Sequence, residues 1–224
     1  MYHIIRSALG ASLPLPCAAC GQLVLQSSAP LCAACWAGIY LGGHPKPVSL
    51  SFSQWGWSWL PFELNVVRQS MAALKFRGRA DLGLLLGDAM ARNLERPEVD
   101  LLAPIPLTMQ RRYARGYNQA ERIARGLGRV WGLPVAEDLL SRPSTWNTLL
   151  VPKQSSLSRA QRSRIYGAYD VAEPERWRGL RIALVDDTLT TGSTLNAAAE
   201  VCIKKARVAA IIPLTLAYAS RRAT

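Results

Sequence analysis

Aspartate and glutamate are missing from the first 62 residues of this 224-residue chain, where Arg6 and Lys46 are the only lysine or arginine side chains. All 15 acids and 25 of the 27 basic residues therefore lie beyond Phe62, and the formal net charge of +12 belongs almost wholly to the later part. Long apolar runs are also missing. No stretch approaches the roughly 18 uninterrupted apolar residues of a spanning helix, which disfavours an integral membrane protein. Pro14 and Pro16 break the mildly apolar start, and no small-x-small cleavage motif follows, so the opening reads as mature protein and the location as cytoplasmic. There is no internal repeat or low-complexity tract. With 50% hydrophobic and 19% charged residues, the chain lies far from compositions that stay disordered. Its length suits one medium domain with a small appendage.

Basic residues concentrate in two places. Residues 111–129 hold Arg111, Arg112, Arg115, Arg122, Arg125 and Arg129 against Glu121 alone, and Lys153, Arg159, Arg162 and Arg164 form a second run. Such patches favour anionic partners, either phosphorylated small molecules or nucleic acid.

Cys17-Ala18-Ala19-Cys20 and Cys32-Ala33-Ala34-Cys35 are paired C-x2-C motifs whose spacer, with Gly21 and Pro30, is long enough for the chain to fold back and bring them together, though shorter than in the usual zinc ribbon. Four thiolates suit a structural Zn²⁺ and leave no open position for a catalytic water. A disulfide pair or a redox motif is the competing interpretation, and the doubling of the motif without secretory features weighs against it. His3 and His44 have no ligand spacing, although His44 lies near enough to substitute. Cys202, within an apolar helical stretch, reads as a buried small hydrophobe.

After a Gly, His, Pro and Ser-rich segment at 41–51, read as a linker, the larger domain is expected over 46–224, with the cysteine module over 1–45. Trp55, Trp57 and Trp59 alternate as in a strand with one aromatic face. Helices are expected over 64–76, over 82–94 with Asp81 as cap, from Asn118 through Val130 with Glu121 at the capping-box position, and over 193–206. Strands are expected over 99–105, 166–171, 180–185 and 208–217. The final strand, glycine turn, helix and strand describe a βαβ unit, hence an α/β protein with a parallel sheet.

The most informative stretch runs from Ile182 to Thr194. Four apolar residues end in Asp186 and Asp187, placed where open α/β sheets bind ligands, with the strand expected to break into a loop at the acids. Thr190-Thr191-Gly192-Ser193-Thr194 then offers hydroxyls and successive N–H groups at a helix start, a nest of the right sign for phosphate. Diol-binding carboxylates beside a phosphate nest describe a phosphorylated sugar, while the G-x4-G-K-[ST] loop of nucleotide hydrolases is missing.

Val185-Asp186-Asp187 through Thr194 resembles the phosphoribosyl-pyrophosphate signature of type I phosphoribosyltransferases. The cysteine module, Leu74-Lys75-Phe76-Arg77-Gly78, Pro104-Ile105-Pro106-Leu107, Arg115-Gly116-Tyr117-Asn118-Gln119-Ala120 and Gln154 through Arg162 are similar, nearly end to end, to the ComF/GntX-type family, also called ComFC or competence protein F. The resemblance implies a type I phosphoribosyltransferase-like parallel sheet with flanking helices. It implies that Asp186 and Asp187 hold the ribose hydroxyls, directly or through Mg²⁺, and that Thr188, Thr190, Thr191, Gly192, Ser193 and Thr194 cradle the sugar phosphate. Pro104 and Pro106 fall on its pyrophosphate-side loop, Arg111, Arg115 and Asn118 on the basic segment after it, and Lys75 and Arg77 are candidates for the leaving diphosphate. It further implies a part in natural competence, with single-stranded DNA and DNA-uptake proteins as partners. The +12 charge and Trp-rich strand accord with DNA contact. Two departures stand out: Arg162-Ser163-Arg164-Ile165 occupies a stretch where the family commonly has an Asn, and Thr190 stands where several phosphoribosyltransferases carry an acid. A threonine is no base at neutral pH, which disfavours purine salvage. The acceptor is not coded in the sequence.

Overall fold

The computed structural model describes residues 15–24, 29–143 and 168–219. Its centre is a five-stranded mixed sheet of order β3-β4-β9-β8-β5: β3 (Lys46–Val48), β4 (Gly56–Pro61), β5 (Leu101–Pro104), β8 (Arg181–Leu189) and β9 (Ala210–Tyr218). Pairings β4–β9, β8–β9 and β5–β8 are parallel, and only β3 runs antiparallel, against β4. The protein is thus α/β with a mostly parallel sheet. Two-residue strands β1 (Leu15–Pro16) and β2 (Leu23–Val24) form one small antiparallel pair, β6 (Leu140–Ser141) and β7 (Asp170–Val171) another.

Continuous apolar runs in β5, β8 and β9 arise because both sheet faces are covered. Leu102, Ala183, Val185, Leu214 and Leu216 face one core, with helices α1 (Ala33–Gly42), α2 (Asn65–Phe76), α3 (Ala80–Asn93) and α5 (Gln119–Trp131). Leu101, Ala103, Ile182, Leu184 and Ile211 face the other, with α6 (Ser193–Val201) and the buried Trp177. Cys202 opens a π-helical turn that continues α6 and is fully buried, as expected of a small hydrophobe. Cys17, Ala18, Ala19 and Leu31 share the first core with Trp59 and Leu74, so the cysteine module packs onto the sheet domain.

Several local expectations need correction. The 41–51 segment is not only a linker: α1 continues through Gly42 and Lys46–Val48 pairs with β4. Trp59 is buried and Trp57 partly so, but Trp55 precedes the strand and is 71% exposed. Asp81 lies inside the first turn of α3, in an ion pair with Arg79, instead of capping it. Met109–Arg115 forms a further helix, α4, started by the Thr108 hydroxyl, which accepts from the Arg111 N–H, and ended by Gly116 at φ +76°. Asn118 caps α5 as expected by accepting the Ala120 N–H, while Glu121 pairs with Arg125. Gln154 through Arg162, Arg162–Ile165 and the second basic run lie outside the described residues.

α3 and α5 approach backbone to backbone. A Cβ on Gly126 would stand 2.3 Å from the Leu84 carbonyl oxygen and one on Gly87 2.2 Å from that of Ile123. Neither wall is a flexible side chain, so the helices must separate. Gly126→Ala is expected to lower unfolding free energy by roughly 3 kcal/mol, read as a reduced urea midpoint at unchanged slope. An unchanged midpoint would show that the pair can slide apart freely.

Candidate functional site

Strand β5 stops at Pro104, opposite Val185, while β9 accompanies β8 as far as Leu189. The last four residues of β8 thus keep one neighbour and open their other edge. This corrects the expected break at the acids: Asp186 and Asp187 lie within the strand. Alternation presents Asp187 toward the face that Val185 shares with α2, where the Lys75 ammonium meets its carboxylate at 3.0 Å. Lys75 also donates to the Thr188 hydroxyl at 3.1 Å, and the Asp187 N–H donates to the Asp186 carboxylate at 2.8 Å.

Around this edge lies a cleft of about 360 Å³. Asp186, Asp187 and Thr188 line it from β8, Thr190 and Thr194 from the turn into α6, Ile105 through Thr108 from the loop after β5, and Arg111 and Arg115 from α4. Gly192 makes the turn at φ +75° and is the residue before α6; Thr191 and Ser193 join hydroxyls at 2.9 Å beside it. The turn is held by Ser51, whose N–H donates to Asn196, and by Leu50, which leaves no room for a Cβ on Gly192.

Burial, reinforced by the Asp187 charge, pushes the Asp186 carboxyl up to about 7, against the opposing pull of the Asp187 N–H, Lys75 and Arg142. Burial draws the Arg115 guanidinium below its ordinary value, Asp187 acts against that and Arg111 with it, yet Arg115 stays a cation. Four cations, Lys75, Arg111, Arg115 and Arg142, thus share one cleft with two carboxylates. The threonine side suits a phosphate ester, the acids a diol or a divalent cation, and the arginines a more highly charged anion.

Sequence nominees distribute unevenly over this cleft. Pro106 lines it; Pro104 lines a smaller neighbouring cavity behind the loop, and Asn118 is buried there, donating to the Ile105 carbonyl at 3.0 Å and so fixing the loop to α5. Arg77 is turned away: its guanidinium donates to the Ala18 and Gln69 carbonyls at 2.9 and 2.8 Å. With Arg79, which reaches the Pro16 carbonyl at 3.1 Å, it clamps the cysteine module to the α2–α3 turn. Arg122 is half-buried, and Arg125 and Arg129 form an exposed face paired to Glu121, Glu137 and Asp88. No motif marks Arg142, which donates to the Pro106 carbonyl at 3.0 Å and to the Tyr169 hydroxyl and lies 4.5 Å from that ring's centroid. Burial pushes Tyr169 up to about 12 despite the guanidinium, so it stays a neutral support.

The four cysteine Sγ atoms lie within 4.8 Å of one another, and none is in a disulfide. Zinc–sulfur bonds of about 2.3 Å place tetrahedral sulfurs about 3.8 Å apart; Cys20 and Cys32 stand at 3.7 Å. That spacing fits a metal ion. Burial opposes ionisation of Cys17, but N–H groups of Cys20, Cys32 and Ala19 hold it down to about 6. Burial and the neighbouring sulfurs push Cys35 up. His44 is exposed and outside the cluster.

No family model matches the chain. Competence protein ComFC of Bacillus subtilis (strain 168) is 27% identical over 157 residues, 68% of this chain and 60% of that protein. Competence protein F of Haemophilus influenzae is 35% identical over 105 residues, 46% of this chain and 43% of that protein. DNA utilization protein YhgH of Salmonella typhi is 28% identical over 139 residues, 58% of each. The chain therefore aligns with between 43% and 60% of the length of these curated relatives. The solved structure of the allosteric regulatory enzyme of purine biosynthesis covers 65% of this chain and 30% of its own at 16% identity, with a TM-score of 0.45. Among the described residues no helix is long and apolar enough to cross a membrane.

Proposed function

We propose that this chain binds phosphoribosyl pyrophosphate with Mg²⁺ as a phosphoribosyltransferase-like protein, in a competence role of the kind its curated relatives are named for. The supporting observation is the convergence, in one cleft, of Asp186 and Asp187 on an unpaired strand edge, the threonine turn, and four cations. Asp186 and Asp187 hold the ribose hydroxyls, directly or with Mg²⁺ between; Thr188, Thr190, Thr191, Gly192, Ser193 and Thr194 take the sugar phosphate. Lys75, Arg111 and Arg115 face the diphosphate from one side and the Pro104–Leu107 loop from another. Arg142 joins them. Displacement at the anomeric carbon would build positive charge on the sugar and negative charge on the departing diphosphate, which these cations favour. The bound Mg²⁺ would add Lewis-acid stabilisation of the same charge.

In this reading residues 1–45 form a zinc module through Cys17, Cys20, Cys32 and Cys35, carried on a ligand-binding domain over 46–224. The protein works in the cytoplasm beside the DNA-uptake machinery. A second reading, a non-catalytic single-stranded-DNA or scaffold role on the same fold, is favoured by Tyr113, 94% exposed on the basic helix α4, and by Trp55, 71% exposed elsewhere on the surface.

Titration calorimetry with Mg²⁺ and phosphoribosyl pyrophosphate tests the first reading. Wild type is expected to bind, and the double variant Asp186→Asn/Asp187→Asn to lose at least about 100-fold in affinity, since hydrogen bonds to a charged group contribute about 1.5–3 kcal/mol each. No heat with folded, metal-loaded wild type would sink it and turn attention to the DNA reading, whose affinity should fall steeply with salt.

A further inference from the structure

Beyond the three shared cations lies a second, larger concavity of about 520 Å³, lined by Lys75, Phe76, Gly78, Arg111, Arg115 and Tyr117, with Gln110 and Ala114 closing it. Its lining holds three cations and no acid. Phe76 ends α2, and 75% of its surface is open to solvent. The Arg115 guanidinium carbon lies 5.4 Å from its ring centroid, so the phenyl ring is already engaged with a cation that also lines the first cleft. Arg115 is in turn anchored by Gln119, whose side-chain oxygen accepts from it at 2.9 Å and which is fully buried. Tyr117 is fixed by its hydroxyl on the Leu74 carbonyl.

A concave site with a cationic wall and an open aromatic face selects a ligand that is anionic at one end and planar at the other. We propose that this concavity is a nucleoside diphosphate subsite, with the base stacked on Phe76 and the diphosphate on Lys75, Arg111 and Arg115. The inference rests on the reading of those three residues as diphosphate ligands. The base lies on the far side of the diphosphate from Asp186 and Asp187, separate from the sugar. Because the cations are common to both cleft walls, a nucleoside diphosphate and phosphoribosyl pyrophosphate exclude one another. Occupancy of the first cleft then responds to the supply of nucleotide.

The probes are inorganic pyrophosphate and ADP, titrated separately into the full chain and into Phe76→Ala and Phe76→Trp. Phe76 is exposed, so neither substitution disturbs the core. In wild type ADP is expected to bind about tenfold or more tightly than pyrophosphate, the scale of one base stacked on an aromatic side chain. Phe76→Ala should bring ADP down to the pyrophosphate level while pyrophosphate stays within about twofold, and Phe76→Trp should keep the advantage. ADP should also raise the apparent dissociation constant for phosphoribosyl pyrophosphate in proportion to its concentration. The proposal is overturned if ADP binds no better than pyrophosphate, if Phe76→Ala weakens both equally, or if ADP and phosphoribosyl pyrophosphate bind together. Failure of phosphoribosyl pyrophosphate to bind, with the Phe76-dependent ADP preference intact, removes the functional reading above and leaves the subsite standing.

Discussion

Replacing Cys20 and Cys32 with serine is expected to lower the melting temperature of the whole protein by about 10 °C or more, and chelation of the wild type is expected to do the same. A structural zinc contributes apparent binding free energies of about 10–16 kcal/mol in isolated modules, all of it linked to folding of the module. Here the consequence spreads. Cys17, Ala18, Ala19 and Leu31 belong to the core that holds Trp59, Leu74 and Leu214. Arg77 and Arg79 are bonded to carbonyls within or next to the first C-x2-C loop. If the cluster holds an ion, its loss would leave those apolar groups without a wall and those guanidinium groups without acceptors. For a chain of this size each 1 kcal/mol moves the midpoint by about 2–4 °C, so several kcal/mol of lost docking gives the stated shift. Calorimetric scans with and without chelator, paired with metal content, provide the check. A metal-free protein melting at the wild-type temperature would show that the module is an ornament, and sensitivity to thiol reductant alone would restore the disulfide interpretation.

The parts of the fold legible in the sequence are those carried by strong local patterns. β8, α6 and β9 announce themselves by apolar runs around a glycine turn, α2 by helical spacing, and α5 by the Asn118 cap. Helix α4 was invisible because it buries no residue: it has no apolar stripe and exists through a Thr108 cap and a left-handed Gly116. β3 is three residues long and owes its form to β4. The true end of β8 could not be read either, because it depends on β5 stopping while β9 continues, a tertiary fact.

The site divides along the same line. Asp186, Asp187 and the threonine turn lie together in the chain and were found together. Lys75, Arg111 and Arg115, which only the resemblance singles out, reach the cleft from two other helices. Arg77, two residues beyond Lys75 and singled out by the same resemblance, instead engages the cysteine module, because the last turn of α2 sends the two side chains to different neighbours. Arg142 has no motif around it. Its place follows from the β6–β7 pair, which brings it against Tyr169 and the Pro106 carbonyl.

Asp186→Asn is expected to make the ligand-free protein more stable at pH 8 and about as stable near pH 4, and, on the proposed reading, to remove affinity for phosphoribosyl pyrophosphate. Burial and the charge of Asp187 push the Asp186 carboxyl up to about 7, above its ordinary value of 3.8. Between those two values the folded protein holds a proton that the unfolded chain has released. Stability therefore declines as pH rises from about 4 to about 7, and above that range the full cost of a buried, crowded carboxylate is present. Asparagine keeps the acceptor oxygen for the Asp187 N–H, 2.8 Å away in wild type, and carries no charge. Scans in Mg²⁺-free buffer should accordingly show the variant melting several degrees above wild type at pH 8, with the gap narrowing through pH 5 and closing near pH 4. A gap of the opposite sign, or one independent of pH, would mean that Asp186 is comfortably solvated. Calorimetric titration of the same variant completes the prediction: if ribose hydroxyls and Mg²⁺ offset the cost of that carboxylate, as proposed, the stabilised variant is the one that does not bind phosphoribosyl pyrophosphate.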